Sequence, residues 1–138
     1  MNKLLPAFFY LVMVVFSVFP EKEAPVILQI ENISNFFSAG SSKDLARFFD
    51  NGVELNINGD QGEFSKIQAE LVLRDFFKKH PPKDFQIIHK GGVENQIQYF
   101  IGNYTSPNSQ FRILIKIKSS LDVLRIFSLE ILSSDSAF

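Results

Sequence analysis

His89 and Tyr99 are the side chains of this sequence best suited to act on a small molecule. Side chains alternate between the two faces of a strand, so in a regular strand His89 shares a face with Phe85 and Ile87. If that face points inward, the imidazole lies among apolar groups, where it can act as a base near neutral pH. Tyr99 offers a phenol on the following strand, and its five-residue spacing from Tyr104 puts the two phenols on opposite faces. His89 and Tyr99 are therefore the predicted ligand-binding residues.

Each of these two residues also has a simpler interpretation. A histidine just before a Gly-Gly pair can end its strand and bond a backbone carbonyl, and a strand tyrosine can fill space while its hydroxyl reaches the rim. An enzyme further needs a second polar group near the same substrate position, and the sequence offers no obvious partner for His89. A non-catalytic protein is therefore favoured. The alternative is an enzyme of the isomerase, dehydratase or hydrolase kind with His89 as its base.

The composition excludes several classes of site. The sequence contains no cysteine, which excludes disulfides, thiolate zinc sites, iron–sulfur clusters, thiol catalysis and a lipoprotein anchor. His80 and His89 match no metal-ligand spacing, and no glycine loop for phosphates or dinucleotides is present in the sequence. The 14 basic and 15 acidic residues give a net charge of -1 without a basic stripe, which argues against nucleic acid as a partner. We expect no metal and no cofactor.

The N-terminus has the layout of a secretory signal peptide. Met1-Asn2-Lys3 carries a positive side chain, Leu4–Phe19 is nearly unbroken in apolar residues, and Pro20–Glu23 is polar. The apolar run is shorter than the roughly 20 residues that a stable membrane span requires. Residues 1–19 are therefore predicted to be the signal peptide of a protein exported to the periplasm or secreted. The alternative is an uncleaved leader, which would be the protein's only attachment to a membrane.

The remaining sequence, 24–133, is predicted to form one α+β domain. The helical spacing of apolar residues indicates three helices, which begin near Pro25, Ser42 and Ser65, and the second is expected to include Phe49. Alternation of apolar and polar residues predicts strands at 53–57, 84–90, 95–105, 110–119 and 121–132. The order helix–helix–strand–helix–four strands indicates a curved sheet of about five strands wrapped against helices around an apolar interior.

Turn-forming residues separate these predicted strands. Asn58–Gly62 is predicted to be the turn after the first strand, because it is rich in glycine, asparagine and aspartate. Gly91-Gly92 and Pro107-Asn108-Ser109 are predicted to be the turns of two hairpins.

The last predicted strand has apolar residues on both of its faces. One face carries Val123, Phe127, Leu129 and Ile131, and the other carries Leu124 and Ile126. Helices on one side of the sheet cover only one face, so we predict a homodimer through the sheet face that includes Leu124 and Ile126. The alternative is that the strand twists and the tail 133–138 covers its far face.

A pattern in the middle of the sequence resembles a known protein family. The residues that carry it are Gly62–Glu70, Phe76-Phe77, Pro81-Pro82, Phe85 and His89–Gly92. They resemble a family of short exported bacterial proteins, mostly from the Bacteroidetes, which has no established activity. The order of elements also resembles the cone-shaped nuclear-transport-factor-two-like superfamily, to which this family belongs. The resemblance implies a cone-shaped sheet on three helices and an export route, and it assigns no catalytic residue.

Three functions are compatible with these observations. The favoured one is an exported, non-catalytic, dimeric domain that binds a small apolar ligand or another envelope protein. The alternatives are the cavity enzyme with His89 as base and a structural or assembly module of the cell envelope. One fold can host all three. An open pocket, and the polar groups that line it, would distinguish between them.

Overall fold

A computed structural model of the chain describes residues 26–93, 96–121 and 123–136. The predicted signal peptide, 1–19, and the end of the tail, 137–138, lie outside these ranges. None of the helices in the described ranges is long and apolar enough to cross a bilayer.

The first helix has the predicted start and end. α1 spans Val26–Ala39 and buries Ile33 and Phe37, which lie on one face because a helical turn takes 3.6 residues. Gly40 follows with a positive φ of 66°. Glycine adopts this left-handed conformation without steric strain, and the conformation ends the helix.

The second helix is shorter than the sequence indicates. α2 spans Ser42–Ala46 and is capped by Ser41, whose hydroxyl accepts a hydrogen bond from the backbone N–H of Asp44. The prediction that Phe49 belongs to this helix is wrong, because Phe49 begins the first strand and pairs with Ile126. Pairing with a strand distant in sequence outweighs the local helical spacing here.

The third helix is fixed by reciprocal hydrogen bonds at its first turn. α3 spans Lys66–Lys79, and Ser65 and Gln68 form a capping box in which each side chain bonds the other residue's backbone N–H. Lys78 and Lys79 lie in the last turn, where positive charge suits the helix dipole. These features confirm the predicted bounds of this helix.

In the described ranges, six strands form one mixed sheet. They are β1 (Phe49–Ile57), β2 (Asp60–Ser65), β3 (Asp84–Val93), β4 (Ile97–Ser106), β5 (Ser109–Ser120) and β6 (Val123–Ser133). Their order across the sheet is β2-β1-β6-β5-β4-β3. Neighbouring strands are antiparallel except β1 and β6, which are parallel. The predicted α+β class is confirmed, with one strand more than expected.

The additional strand is β2, which the composition assigns to a turn. The turn itself is limited to Asn58 and Gly59, which have φ values of 51° and 95°. Directly beyond it, Ile57 pairs with Asp60, and the ladder continues to the pairing of Gly52 with Ser65. An Asn-Gly pair commonly forms such a two-residue hairpin turn, because both residues tolerate a positive φ.

A bulge in β6 reverses the faces that its side chains occupy. In the pairing with β5, Lys116 pairs with Ser128 but Ile117 pairs with Ile126, so Phe127 is an extra residue. Leu124 and Ile126 therefore lie on the core side and are buried. The prediction that they form an outer sheet face is wrong, because it assumed unbroken alternation along the strand.

Aromatic side chains from helices and sheet fill the interior of the domain. The ring centroid of Phe37 on α1 lies 4.9 Å from that of Phe85 on β3. Phe76 on α3 packs against Tyr104 and Phe111, with centroid distances of 5.4 and 5.1 Å. All five residues are buried. Rings at such distances attract one another beyond the effect of the apolar area they bury, so this cluster joins the helices to the sheet.

Gly102→Ala is expected to destabilise the domain by about 1–3 kcal/mol. A β-carbon at this position of β4 would lie 2.3 Å from Cε2 of Phe85, so the buried ring would have to move. Urea unfolding should show a lower midpoint with an unchanged slope.

Gly92→Ala is the matched control, because a β-carbon there meets no atom within 4 Å. Its free energy of unfolding should stay within about 0.5 kcal/mol of the wild-type value. Equal losses from the two substitutions would contradict the close packing of Phe85 over Gly102.

Candidate functional site

An open pocket lies between α3 and the β1–β2 hairpin, with a volume of about 410 Å³. We call it the hairpin pocket. Its apolar lining consists of Leu55, Ile57, Phe64, Val72 and Phe76. Its polar lining consists of Asn58, Asp60, Gln61, Asp75, Lys79 and His80. The apolar residues are buried or half-buried, whereas all the polar ones except half-buried His80 are exposed. The pocket therefore has an apolar wall and a polar rim.

His80 is held at this rim by aromatic contacts and by the helix end. Its backbone N–H donates to the carbonyl of Phe76 over 2.8 Å, which closes the last turn of α3. The imidazole lies against Phe111 at 4.7 Å and against Phe76 at 5.3 Å between ring centroids. Pro81 follows and ends the helix, because proline cannot donate a backbone hydrogen bond.

Tyr104 attaches this helix end to the sheet. Its hydroxyl donates a hydrogen bond to the backbone carbonyl of His80. The side chain is buried, and this burial raises the pKa of the phenol well above its ordinary range. Of Tyr99 and Tyr104, it is therefore Tyr104 that faces the interior, where it positions the rim of the pocket.

The charged groups on the rim can orient a ligand's polar end. Lys79 and Asp75 form an ion pair with 2.9 Å between Nζ and Oδ2, and both side chains are mostly exposed. Such a pair stabilises the helix little, since water screens it. Among the described residues, no group of three or more histidines and carboxylates is arranged to hold a metal ion.

A bulge in β3 turns His89 away from the interior. Ile87 pairs with Gly102, but His89 pairs with Ile101, so Ile88 is an extra residue. The prediction that His89 shares the face of Ile87 is therefore wrong. His89 is exposed on the face of the sheet opposite the core, which we call the outer face.

Tyr99 lies beside His89 on the outer face. Oη of the phenol and Nε2 of the imidazole are 3.2 Å apart. The Tyr99 ring covers Gly91, where a β-carbon would lie 2.2 Å from Cζ. Gly91 is thus part of β3 and not of a turn, contrary to the prediction. The two predicted site residues meet, but outside the interior that the cavity-enzyme hypothesis requires.

Most of the hairpin-pocket lining was not predicted from the sequence. Asp60, Gln61 and Phe64 belong to β2, which the composition assigns partly to a turn. A usable signal was present: the Asn58-Gly59 pair between alternating segments is typical of a hairpin.

Comparison with known proteins defines the family. A family model described as a domain of unknown function, DUF4783, matches residues 30–131. The chain belongs to the DUF4783 family. A DUF4783 protein of Bacteroides uniformis is 24% identical, with a TM-score of 0.71 over 77% of this chain and 97% of that one. A DUF4783 protein of Bacteroides fragilis is also 24% identical, with a TM-score of 0.70 over 75% and 96% of the two chains.

The fold of this DUF4783 protein is shared by more distant structures. An NTF2-like protein of unknown function from Shewanella baltica gives a TM-score of 0.60 at 9% identity, over 78% of this chain and 90% of that one. A de novo designed protein with a curved β-sheet gives a TM-score of 0.62 at 12% identity, over 76% of this chain and 96% of that one. No curated protein matches the sequence. The predicted family and the nuclear-transport-factor-two-like fold are confirmed.

Tyr104→Phe is expected to lower the free energy of unfolding by about 1 kcal/mol at neutral pH, because the His80 carbonyl loses its donor. The variant should also lose a pH dependence. Burial raises the folded pKa of Tyr104 above the ordinary value of 10.0, so its contribution is complete below that pH and is lost as pH rises further. Urea unfolding at neutral and alkaline pH measures both effects.

Tyr99→Phe is the control, since that phenol lies half-buried on the outer face. Its unfolding curve at neutral pH should overlay the wild-type curve. An alkaline loss of stability that persists unchanged in Tyr104→Phe would show that another group causes it.

Proposed function

We propose that this DUF4783 protein is an exported, non-catalytic domain that binds a small, largely apolar molecule in the hairpin pocket. The observation that supports this function is the pocket itself, with about 410 Å³ of space beside an apolar wall. Small-molecule sites in proteins typically combine such a wall with a few polar groups.

The chemistry of the lining indicates how the ligand lies. Apolar ligand surface buried against Leu55, Phe64 and Val72 contributes about 25 cal/mol per Å² removed from water. The ligand's polar end then remains at the rim, where Lys79 and His80 can donate hydrogen bonds. An amphiphilic molecule with a short apolar body fits this division.

Binding without catalysis is favoured by the position of the proposed base. General-base catalysis requires the base within hydrogen-bond reach of the substrate. His89 is exposed on the outer face, and it is not among the residues that line the hairpin pocket. The cavity-enzyme hypothesis therefore loses the residue on which it rests.

Dimerisation through the outer face is the second part of the proposal. Ile97, Tyr99 and Ile101 of β4 and Leu114 of β5 are half-buried, and strand pairing places Ile101 beside Leu114. Apolar side chains in one patch on a sheet favour burial against a second copy. These residues replace Leu124 and Ile126 as the expected interface.

Native mass spectrometry of the protein purified gently from an envelope extract tests ligand binding, dimerisation and export together. We expect a chain without its leader, assembled as a dimer, with a small apolar adduct. Protein without an adduct under the gentlest conditions would contradict ligand binding, and the mass of the full sequence would contradict cleavage.

Val72→Trp tests whether the adduct is bound in the hairpin pocket. The larger side chain should fill the space beside the apolar wall, so the adduct should disappear from the spectrum. Val123→Trp is the matched control, because it adds the same group to a half-buried valine of β6, outside the pocket lining. Adduct retained in Val72→Trp would place the ligand elsewhere.

Leu114→Asp is expected to convert the dimer to a monomer, because it places a charge in the apolar patch of the outer face. Sedimentation velocity gives the oligomeric state, and circular dichroism verifies that the variant is folded. Leu121→Asp is the control, at a residue that is 93% exposed between β5 and β6. A folded Leu114→Asp variant that remains dimeric would exclude this interface.

A further inference from the structure

A second open surface, which we call the cationic groove, lies between α2 and α3, with a volume of about 620 Å³. It shares no lining residue with the hairpin pocket. Ile67 and Leu71 of α3 line it, and they are 76% and 50% exposed. They lie four residues apart on one helix face, so they form an adjacent apolar pair. Such a pair turned toward solvent does not contribute to the core.

The groove carries more positive than negative charge. Arg47 lies 3.8 Å from Asp44, and Arg74 pairs with Glu70. Lys43 and Lys66 also line the groove, and neither forms an ion pair within the part of the chain that the structure describes. Two cations therefore stay uncompensated beside the apolar pair, and they attract a ligand that carries negative charge.

The carboxylate of Glu70 adds a hydrogen-bond acceptor to the groove. Its side chain is only 12% exposed, and its Oε1 accepts a hydrogen bond from Arg74. Its other oxygen, Oε2, is buried and has no hydrogen-bond partner among the described residues. The last torsion of a glutamate rotates over a broad range, so a small rotation can present this oxygen to an incoming N–H group.

These features distinguish between anionic partners. The acyl chain and phosphate of an anionic lipid match the apolar pair and the lysines, but the phosphate oxygens only accept hydrogen bonds, and the Glu70 carboxylate would repel them. A peptide also supplies backbone N–H groups. We propose that the cationic groove docks an acidic, amphipathic peptide segment of a partner protein. Its apolar side chains contact Ile67 and Leu71, its carboxylates pair with Lys43 and Lys66, and a backbone N–H donates to Glu70.

The test uses a short fluorescent peptide in which glutamate and leucine alternate, titrated with the full chain by fluorescence anisotropy. Reversal of both lysines, in Lys43→Glu/Lys66→Glu, should weaken binding by at least about tenfold, because both charge pairs become repulsive. Lys83→Glu/Lys90→Glu is the matched control, with the same charge change at exposed lysines outside the groove. Its affinity should stay within about twofold of the wild-type value.

Serine substitutions test the apolar contact separately. Ile67→Ser should weaken peptide binding, whereas Ile27→Ser should not, although Ile27 is a similarly exposed helical isoleucine at 65%. Both positions are exposed, so both variants should remain folded. Val72→Trp should bind the peptide like the wild type, because Val72 does not line the groove. Peptide binding can therefore be tested separately from ligand binding in the hairpin pocket.

Three outcomes would overturn the proposal. The first is the absence of peptide binding to the wild-type chain. The second is an equal loss in the two double variants, which indicates non-specific attraction of charge. The third is that binding to phosphatidylglycerol vesicles depends on Lys43 and Lys66 whereas peptide binding does not. That result would assign the groove to a membrane surface.

Discussion

A buried tyrosine determines where the third helix meets the sheet. Tyr104 donates a hydrogen bond from its hydroxyl to the carbonyl of His80 and packs against the rings of Phe76 and Phe111. Loss of this part-buried hydrogen bond costs about 1 kcal/mol, which opposes a shift of the helix end along the strand. The position of the His80 imidazole and the width of the hairpin pocket both depend on this anchor. Neither would be defined by the aromatic packing alone, because apolar contacts have no fixed direction.

Local signals predicted the helices and the long strands, but they could not predict the faces of two strands. Gly40 ends its helix, and Ser65 and Gln68 begin theirs, through contacts within one or two helical turns. A short stretch of sequence is therefore enough to predict these helix ends. A bulge has a different origin. It inserts one residue and reverses every side chain beyond it, yet it leaves the composition of the strand unchanged. The bulges at Ile88 and Phe127 moved His89 to the outer face and Leu124 into the core.

The candidate site was less predictable than the fold because it depends on how two consecutive elements pack against each other. The hairpin pocket joins residues of the β1–β2 hairpin to the second half of α3, and only the folded chain brings them together. His89 and Tyr99 illustrate the opposite case. Their proximity follows from strand pairing, but the orientation of the pair depends on the bulge. A family of unknown function gives no further constraint, because one fold can host binding, catalysis and assembly.

The parallel pairing of β1 with β6 has a consequence for the timing of folding. All of α3 and four strands, β2 to β5, lie between these neighbours in the sequence, so this pairing forms only through contacts of high sequence separation. Such contacts form slowly, because a long loop must be ordered before the pairing stabilises it. Among the described strands, β6 is the only other neighbour of the β1–β2 hairpin in the sheet, and a two-stranded hairpin is marginally stable alone. Until this pairing forms, the edge of β1 that later pairs with β6 stays unpaired, and an unpaired strand edge can pair with another chain.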